Sequence, residues 1–114
     1  MIIDFHAHAF PDQLAPRAID TLNAGVPQHA HAVLDGTVDD LLRSMDRAGI
    51  DRSVICSIAT APKQVDPIIK WSLDIRSDRI VPLGSVHPEC DDVREAVRKV
   101  ARAGLVGIKL HALY

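Results

Sequence analysis

Short apolar runs and amphipathic stretches alternate along the whole chain. Four apolar runs, rich in β-branched residues, occupy residues 2–8, 53–58, 80–86 and 105–111. Each has the length and composition typical of a strand buried in a parallel sheet. The segments between the last three runs, and the one from residue 37, carry the apolar spacing of helices. The pattern predicts parallel β–α units with right-handed crossovers, and therefore an α/β protein.

Capping signals delimit three predicted helices. The first begins at Thr37-Val38-Asp39-Asp40, which resembles a capping box with Asp as its last residue, and it ends at Gly49. Pro67 suits the first turn of the second helix. Asp91 and Asp92 precede the third helix, which Gly104 ends. The positions expected to face the core are Leu41, Leu42, Met45 and Ala48 in the first helix, Ile68, Ile69, Trp71, Leu73 and Ile75 in the second, and Val93, Ala96, Val97, Val100 and Ala101 in the third.

Residues 10–36 interrupt this regularity. They contain three prolines and two glycines with weak apolar periodicity. We expect a long loop with a helical turn around residues 13–22. An insertion that follows the carboxyl end of a strand is where α/β proteins commonly build their sites.

Composition and charge limit the kinds of molecule that the chain is expected to bind. A formal net charge of −2 gives no electrostatic reason to expect nucleic acid or an anionic membrane. No apolar stretch has the length of a transmembrane helix, and acidic Asp4 with two histidines interrupts the only N-terminal run that resembles a signal peptide. Two cysteines make no disulfide framework, and Cys56 is expected to be a small buried hydrophobe. We therefore expect a soluble cytoplasmic protein that acts on a small-molecule substrate.

The first strand carries the strongest functional signal. His6 and His8 are two residues apart, so an extended backbone places both imidazoles on one face, with Asp4 beneath them. Two histidines that converge at a strand end are plausible ligands for Zn²⁺ or a similar divalent metal. Asp4 could orient one of them, or its carboxylate could simply face solvent or a backbone amide. Ile3, Phe5 and Ala7 are expected to pack on the opposite face.

The last strand, Gly107-Ile108-Lys109-Leu110-His111, carries a second pair of candidates. Alternation places Lys109 and His111 on one face, with Ile108 and Leu110 packed on the helices. An inward lysine needs a partner charge or a chemical role. It could pair with Asp4, bind a substrate carboxylate, or carry a carbamate as a metal ligand. For His111, metal ligation, substrate binding and proton transfer are all open.

Two further groups of polar residues are weaker candidates. His87 and Glu89 close the third strand, where they either contact substrate or only shape a loop. A second His-x-His, formed by His29 and His31, lies in the long segment with no strand to hold it. It could be an auxiliary metal site, but a solvated loop is the favoured interpretation.

The predicted architecture is the first half of a (β/α)8 barrel. Residues 1–114 would form a single partial domain of about four β–α units, because a complete barrel takes about 250 residues. A small flavodoxin-like domain is the alternative, although it normally has a fifth strand and a closing helix.

With these residues in place, the chain resembles the N-terminal half of the barrel found in the amidohydrolase superfamily. The branch that it resembles is that of metal-dependent hydrolases and decarboxylases. The resemblance rests on residues 3–8, 84–88 and 107–111. It implies a barrel in which a divalent metal, usually zinc, polarises a carbonyl or activates water. The reaction that the resemblance implies is the hydrolysis of a C–N or C–O bond, or a decarboxylation. His6 and His8 match the first-strand ligands, and Lys109 falls where some members carry a carboxylated lysine. The later ligands have no counterpart here, so we expect this chain alone to be inactive.

Two other interpretations remain open at this stage. A phosphoesterase of the polymerase-and-histidinol-phosphatase type also opens with His-x-His on a strand, although residues 9–12 fit its usual glycine-containing turn poorly. A non-catalytic half-barrel that self-associates through its open edges is the other interpretation.

Overall fold

The computed structural model describes residues 1–27 and 30–111 and confirms an α/β protein with parallel strands. A short 3-10 turn at Pro62–Gln64 leads into the third helix. The elements in chain order are β1 (Ile3–Ala7), α1 (Ala15–Ala24), α2 (Val38–Ala48), β2 (Arg52–Ile55), α3 (Val65–Ile75), β3 (Ile80–Pro82), β4 (Gly84–Ser85), α4 (Val93–Arg102) and β5 (Ile108–Lys109).

The strands follow one another in chain order across the fold. β1, β2 and β3 form one parallel sheet, and β4 and β5 form another. Only Leu83 separates β3 from β4, and its amide donates to the carbonyl of Ile55 in β2 (2.9 Å). The next amide, that of Gly84, donates to the carbonyl of Gly107 (2.9 Å). Residues 80–85 therefore border β2 with their first half and β5 with their second.

The start of α2 forms as the capping signal predicts, with one change. The hydroxyl of Thr37 accepts the amide of Asp40 (3.1 Å), and Gly49 closes the helix in the left-handed conformation (φ 68°). The carboxylate of Asp40 accepts the amide of Asp35 (3.1 Å). The return bond of the capping box therefore goes to Asp35, two residues before Thr37. The carboxylate of Asp35 in turn accepts both the amide and the hydroxyl of Thr37.

The cap of α4 is confirmed, but its buried face is narrower than predicted. The carboxylate of Asp92 accepts the amide of Glu95 (2.9 Å) and satisfies a free donor of the first turn. Ala96 and Val100 are buried, whereas Val93, Val97 and Ala101 are exposed. Only the side chains nearest α3 and the strands reach the core.

The long segment after β1 contains more structure than its sequence predicts. A ten-residue helix, α1, replaces the single turn expected around residues 13–22. Pro16 lies in its first turn, where a missing amide costs nothing. Ala15 is its only fully buried residue, which explains why the apolar periodicity is weak.

All of the core is built between the strands and the helices. One cluster joins Ala7, Ile55 and Ile80 on the strands to helix residues that include Met45. The second cluster joins Val86 to residues of α3 and α4 that include Val100. Both clusters therefore join the strands to the helices that pack on them.

The prediction that Ile3 and Phe5 pack against the core is wrong. Asp4 pairs with Ser53 and Ala7 with Ile55, so Phe5 and His6 of β1 together oppose the single residue Val54 of β2. This bulge breaks the inward–outward alternation in a strand that lies at the edge of its sheet. Ala7 is buried as expected, but Phe5 is 75% exposed and Ile3 is 47% exposed.

The remaining sequence expectations concern the cysteines and the membrane. Cys56 is buried, as predicted, Cys90 is half-buried, and both are free thiols. None of the described helices has the length and apolar character that crossing a bilayer would require.

Candidate metal centre

Two imidazoles meet where β1 ends. His6 lies within β1 and His8 follows its last residue, so the strand projects both rings to the same side. Their Nε2 atoms are 3.2 Å apart, with ring centroids at 5.0 Å and ring planes inclined by 56°. Ala7 and Ala9 are buried on either side of His8, which anchors the backbone that carries the pair.

The separation of the two Nε2 atoms suits a shared metal ion. Two nitrogens bound to one tetrahedral zinc at the usual Zn–N length lie roughly 3.3–3.4 Å apart. The observed 3.2 Å differs from this by a tenth or two of an ångström. Without a metal, the same separation is that of an N–H···N hydrogen bond in which one ring donates to the other. The pair therefore fits a zinc ion with little movement.

The surroundings of His8 favour its neutral form. Partial burial of the ring lowers the pKa of His8 below its ordinary value, and the nearby charges of His6, Lys109 and His111 lower it further. A hydrogen bond to the backbone of Cys56 opposes this shift. A neutral imidazole keeps the nitrogen lone pair that a metal requires.

Lys109 reaches the histidine pair from the far strand. Its Nζ lies 3.4 Å from Nε2 of His6, and its side chain is half-buried. In a flat sheet, β1 and β5 would lie roughly 14 Å apart, because two strands separate them at about 4.8 Å per step. The contact therefore shows that both side chains project from the same face of the strands and extend toward each other across it.

Of the two roles considered for Asp4, the structure shows the bond to a backbone amide. Its carboxylate accepts the backbone amide of His6 (3.0 Å), within the bulged part of β1. It holds the backbone of the metal-ligand candidate instead of the imidazole. Lys109, for which Asp4 was one predicted partner, contacts His6.

Ser85 positions Lys109, and the sequence analysis did not identify it. Its buried hydroxyl donates to the carbonyl of Lys109 (2.9 Å) and accepts the amide of Ala59 (2.9 Å). The hydroxyl of Ser85 therefore links β4 both to β5 and to the loop after β2. A serine inside the otherwise apolar run 80–86 was the available signal, because a buried hydroxyl needs partners.

His111 lies on the same side as the other candidates. It is half-buried, and its charge contributes to the lowered pKa of His8. The structure therefore brings together all four predicted residues, His6, His8, Lys109 and His111.

The weaker candidates lie elsewhere. Nδ1 of buried His87 accepts the amide of Glu89 (3.2 Å), which is the loop-shaping role considered for it. His31 is exposed. Its predicted companion, His29, falls outside the described residues.

The centre has fewer ligands than a catalytic zinc needs. Within residues 1–27 and 30–111, no group of three or more histidine, cysteine or acidic side chains is arranged to hold a metal ion. Catalytic zinc generally has three protein ligands. Two imidazoles and one amine therefore form an incomplete site.

No protein-family model matches the sequence, and it has no significant similarity to a curated protein or to a solved structure.

Proposed function

We propose that this chain is part of a metal-dependent hydrolase of the amidohydrolase type, with His6 and His8 as ligands of a divalent metal, zinc in the first instance. The observation that carries the proposal is the convergence of three nitrogens. Nε2 of His6 lies 3.2 Å from Nε2 of His8 and 3.4 Å from Nζ of Lys109. Active sites of this class lie at the carboxyl ends of barrel strands, which is where these residues occur.

Strand order supports a barrel over the flavodoxin-like alternative. In doubly wound sheets the order reverses, so that a later strand returns beside β1. Here β2 follows β1, the segment 80–85 follows β2, and β5 follows that segment. The contact between His6 and Lys109 across two intervening strands is in keeping with a barrel, because side chains on the inner face of barrel strands converge on its interior.

Each side chain has a distinct task in this proposal. His6 and His8 would hold the ion, and a hydrogen bond to the backbone of Cys56 helps to orient the ring of His8. The ion would polarise a substrate carbonyl and lower the pKa of water. The amine of Lys109 supplies a positive charge beside the pair, where a substrate carboxylate can bind, and His111 can exchange a proton at the same edge.

Metal content tests the proposal directly. We expect the purified chain, loaded with Zn²⁺ and then desalted, to retain zinc in elemental analysis, and the His6→Ala/His8→Ala variant to lose it. His31→Ala is the matched control, because it removes an exposed histidine away from the centre. Loading with Co²⁺ gives a second readout, since nitrogen ligation in tetrahedral geometry produces visible absorption. Equal zinc in the wild-type chain and the double variant would refute the proposal.

The positive charge of Lys109 also suits a phosphate group, which keeps a phosphoesterase as the second candidate. A panel of amides, lactones and phosphomonoesters, offered to a chain that carries the complete site, separates the two. Turnover of the phosphomonoesters alone would favour the second candidate.

A further inference from the structure

We propose that His87 is a substrate-binding residue. Its Nε2–H donates a hydrogen bond to an oxyanion that the amine of Lys109 also binds, either a carboxylate or a phosphate group of the substrate. That the oxyanion belongs to a substrate rests on the proposed function, whereas the binding of the anion requires no metal.

The loop contact of His87 determines which of its ring nitrogens carries the proton. Nδ1 accepts the backbone amide of Glu89 (3.2 Å). Because an amide can only donate, Nδ1 has no hydrogen of its own, and the ring hydrogen is on Nε2. Nε2–H is a donor and offers no lone pair to a metal ion. His87 is therefore suited to an oxygen acceptor and not to a second metal ion.

The other nitrogen of His87 reaches open space from an almost fully buried ring. His87 is only 6% exposed, so the chain itself encloses nearly all of it. Within residues 1–27 and 30–111, Nε2 has no hydrogen-bond partner, and the hydroxyl of Ser53 is the only fully enclosed side-chain polar atom that lacks one. Nε2 is therefore not enclosed. A donor on a buried ring without a partner requires an explanation, and an acceptor on a bound ligand supplies it.

The backbone around His87 is held by neighbours within this chain. Pro88 follows it, and a residue before proline is restricted to extended conformations. The carbonyl of His87 accepts the amide of Cys90 (3.1 Å), which closes the turn. The segment that leads to His87, residues 80–85, is an inner one, because it borders β2 on one side and β5 on the other. The orientation of the ring therefore does not depend on the outer edge of either sheet.

Packing on α4 shows which face of the strands carries His87. A methyl group on Gly84 would meet the side chain of Val100, so that face of β4 lies against α4. Val86 is buried in the same cluster as Val100. Alternation along an extended backbone therefore places Ser85 and His87 on the opposite face.

Lys109 lies on that opposite face as well. Its neighbour Ile108 packs against the cluster that contains Val100, so Lys109 projects away from the cluster. Lys109 pairs with Ser85, and His87 lies two positions further along. Two residues of rise and one strand spacing put the Cα atoms of His87 and Lys109 roughly 8 Å apart, a separation that their side chains can span with one anion between them. A cation and an N–H donor that face the same space form a site for an oxyanion.

Anion titrations of metal-free protein test the proposal. The chain is stripped with a chelator, desalted, and titrated at constant ionic strength with acetate or with inorganic phosphate, and NMR chemical shifts give the Kd. Wild-type protein should bind at least one of the two anions, and the tighter of the two identifies the group that the site prefers. Lys109→Met should weaken binding at least about tenfold, as expected for the loss of a charge-assisted contact.

Two substitutions of His87 separate ligand binding from loop shaping. The side-chain oxygen of His87→Asn can accept the amide two residues on, as asparagine commonly does in turns, but the donor at Nε2 is lost. We expect binding at least about tenfold weaker in this variant. The amide of His87→Gln carries an N–H close to the position of Nε2, so its binding should stay within about threefold of wild type. His31→Asn, at an exposed position, is the matched control and should bind as the wild-type chain does.

Equal affinity in His87→Asn and the wild-type chain, or a wild-type chain that binds neither anion, would overturn the proposal. If circular dichroism shows His87→Asn to be unfolded, the proton–nitrogen correlation signals of the ring in the wild-type chain decide. A proton on Nε2 whose signal moves when the anion is added supports the proposal. A proton on Nδ1, or a signal that does not move, overturns it.

Zinc retention separates this proposal from the proposed function. His87→Asn should retain as much zinc as the wild-type chain, because His87 is not a ligand. Anion binding by a chain that retains no zinc refutes the metal proposal alone. Zinc retention by a chain that binds neither anion refutes the anion site alone.

Discussion

Nε2 of His6 and Nζ of Lys109 lie 3.4 Å apart although 103 positions separate the two residues in the sequence. The two strands that carry them are separated by β2 and by residues 80–85. Contact across these strands sets the amine beside the histidine pair. The charge of Lys109 is one of the causes that lower the pKa of His8.

Removing the charge of Lys109 should alter His8. The charge of Lys109 is one cause of the lowered pKa of His8, so Lys109→Met should raise that pKa toward its ordinary value. Titration of the imidazole protons by NMR in metal-free protein measures the shift. Lys63→Met, at an exposed position of the 3-10 turn, is the matched control and should leave the titration unchanged. An unchanged pKa in Lys109→Met would contradict the contact.

Metal-free protein should lose stability on mild acidification. The folded pKa of His8 lies below the ordinary value of 6.5, so the unfolded chain binds more protons in the interval between the two values. The free energy of unfolding therefore falls as the pH drops through 6.5, and the loss is complete below the folded pKa. Urea titrations at several pH values, with chelator present, measure this dependence. His8→Gln should flatten it, and the same slope in that variant would refute the assignment.

Gly84→Ala should destabilise the fold. A methyl group at this position would lie 2.5 Å from Cγ1 of Val100, so β4 or α4 must shift. We expect a loss of about 1–3 kcal/mol in thermal or urea unfolding, typical of overpacking. Gly25→Ala is the control, because its nearest atoms are 3.6 Å away. Combining Gly84→Ala with Val100→Ala should cost less than the sum of the single changes, and additive losses would contradict the clash.

Two buried serines should respond in opposite directions. Within the described residues, the hydroxyl of Ser53 is buried without a hydrogen-bond partner, so Ser53→Ala should be neutral or stabilising by up to about 1 kcal/mol. The hydroxyl of Ser85 bonds two backbone groups, so Ser85→Ala should cost about 1–3 kcal/mol. Urea unfolding of both variants makes the comparison. A larger loss for Ser53→Ala than for Ser85→Ala would overturn the hydrogen-bond assignment.

Patterns in the sequence predicted most of the helices and strands because the interactions that form and end these elements involve residues close together in the chain. The strands at 2–8, 53–58, 80–86 and 105–111 were located, although each described strand is shorter than its apolar run. Caps such as Thr37 and Gly49 act within one helical turn, so their positions could be read directly. The helix α1 was underestimated because it buries little apolar surface and so leaves a weak periodic signal.

By itself, the sequence determined that His6 and His8 project to one side, because two residues along a strand return the side chain to the same face. Only the tertiary structure decided which groups meet them. Phe5 is exposed in the irregular part of β1 between Asp4 and Ala7, the hydroxyl of Ser85 bonds the backbone of β5, and Lys109 reaches His6 instead of Asp4. Each of these depends on pairing between distant segments, whose register and curvature the pattern within one strand does not encode.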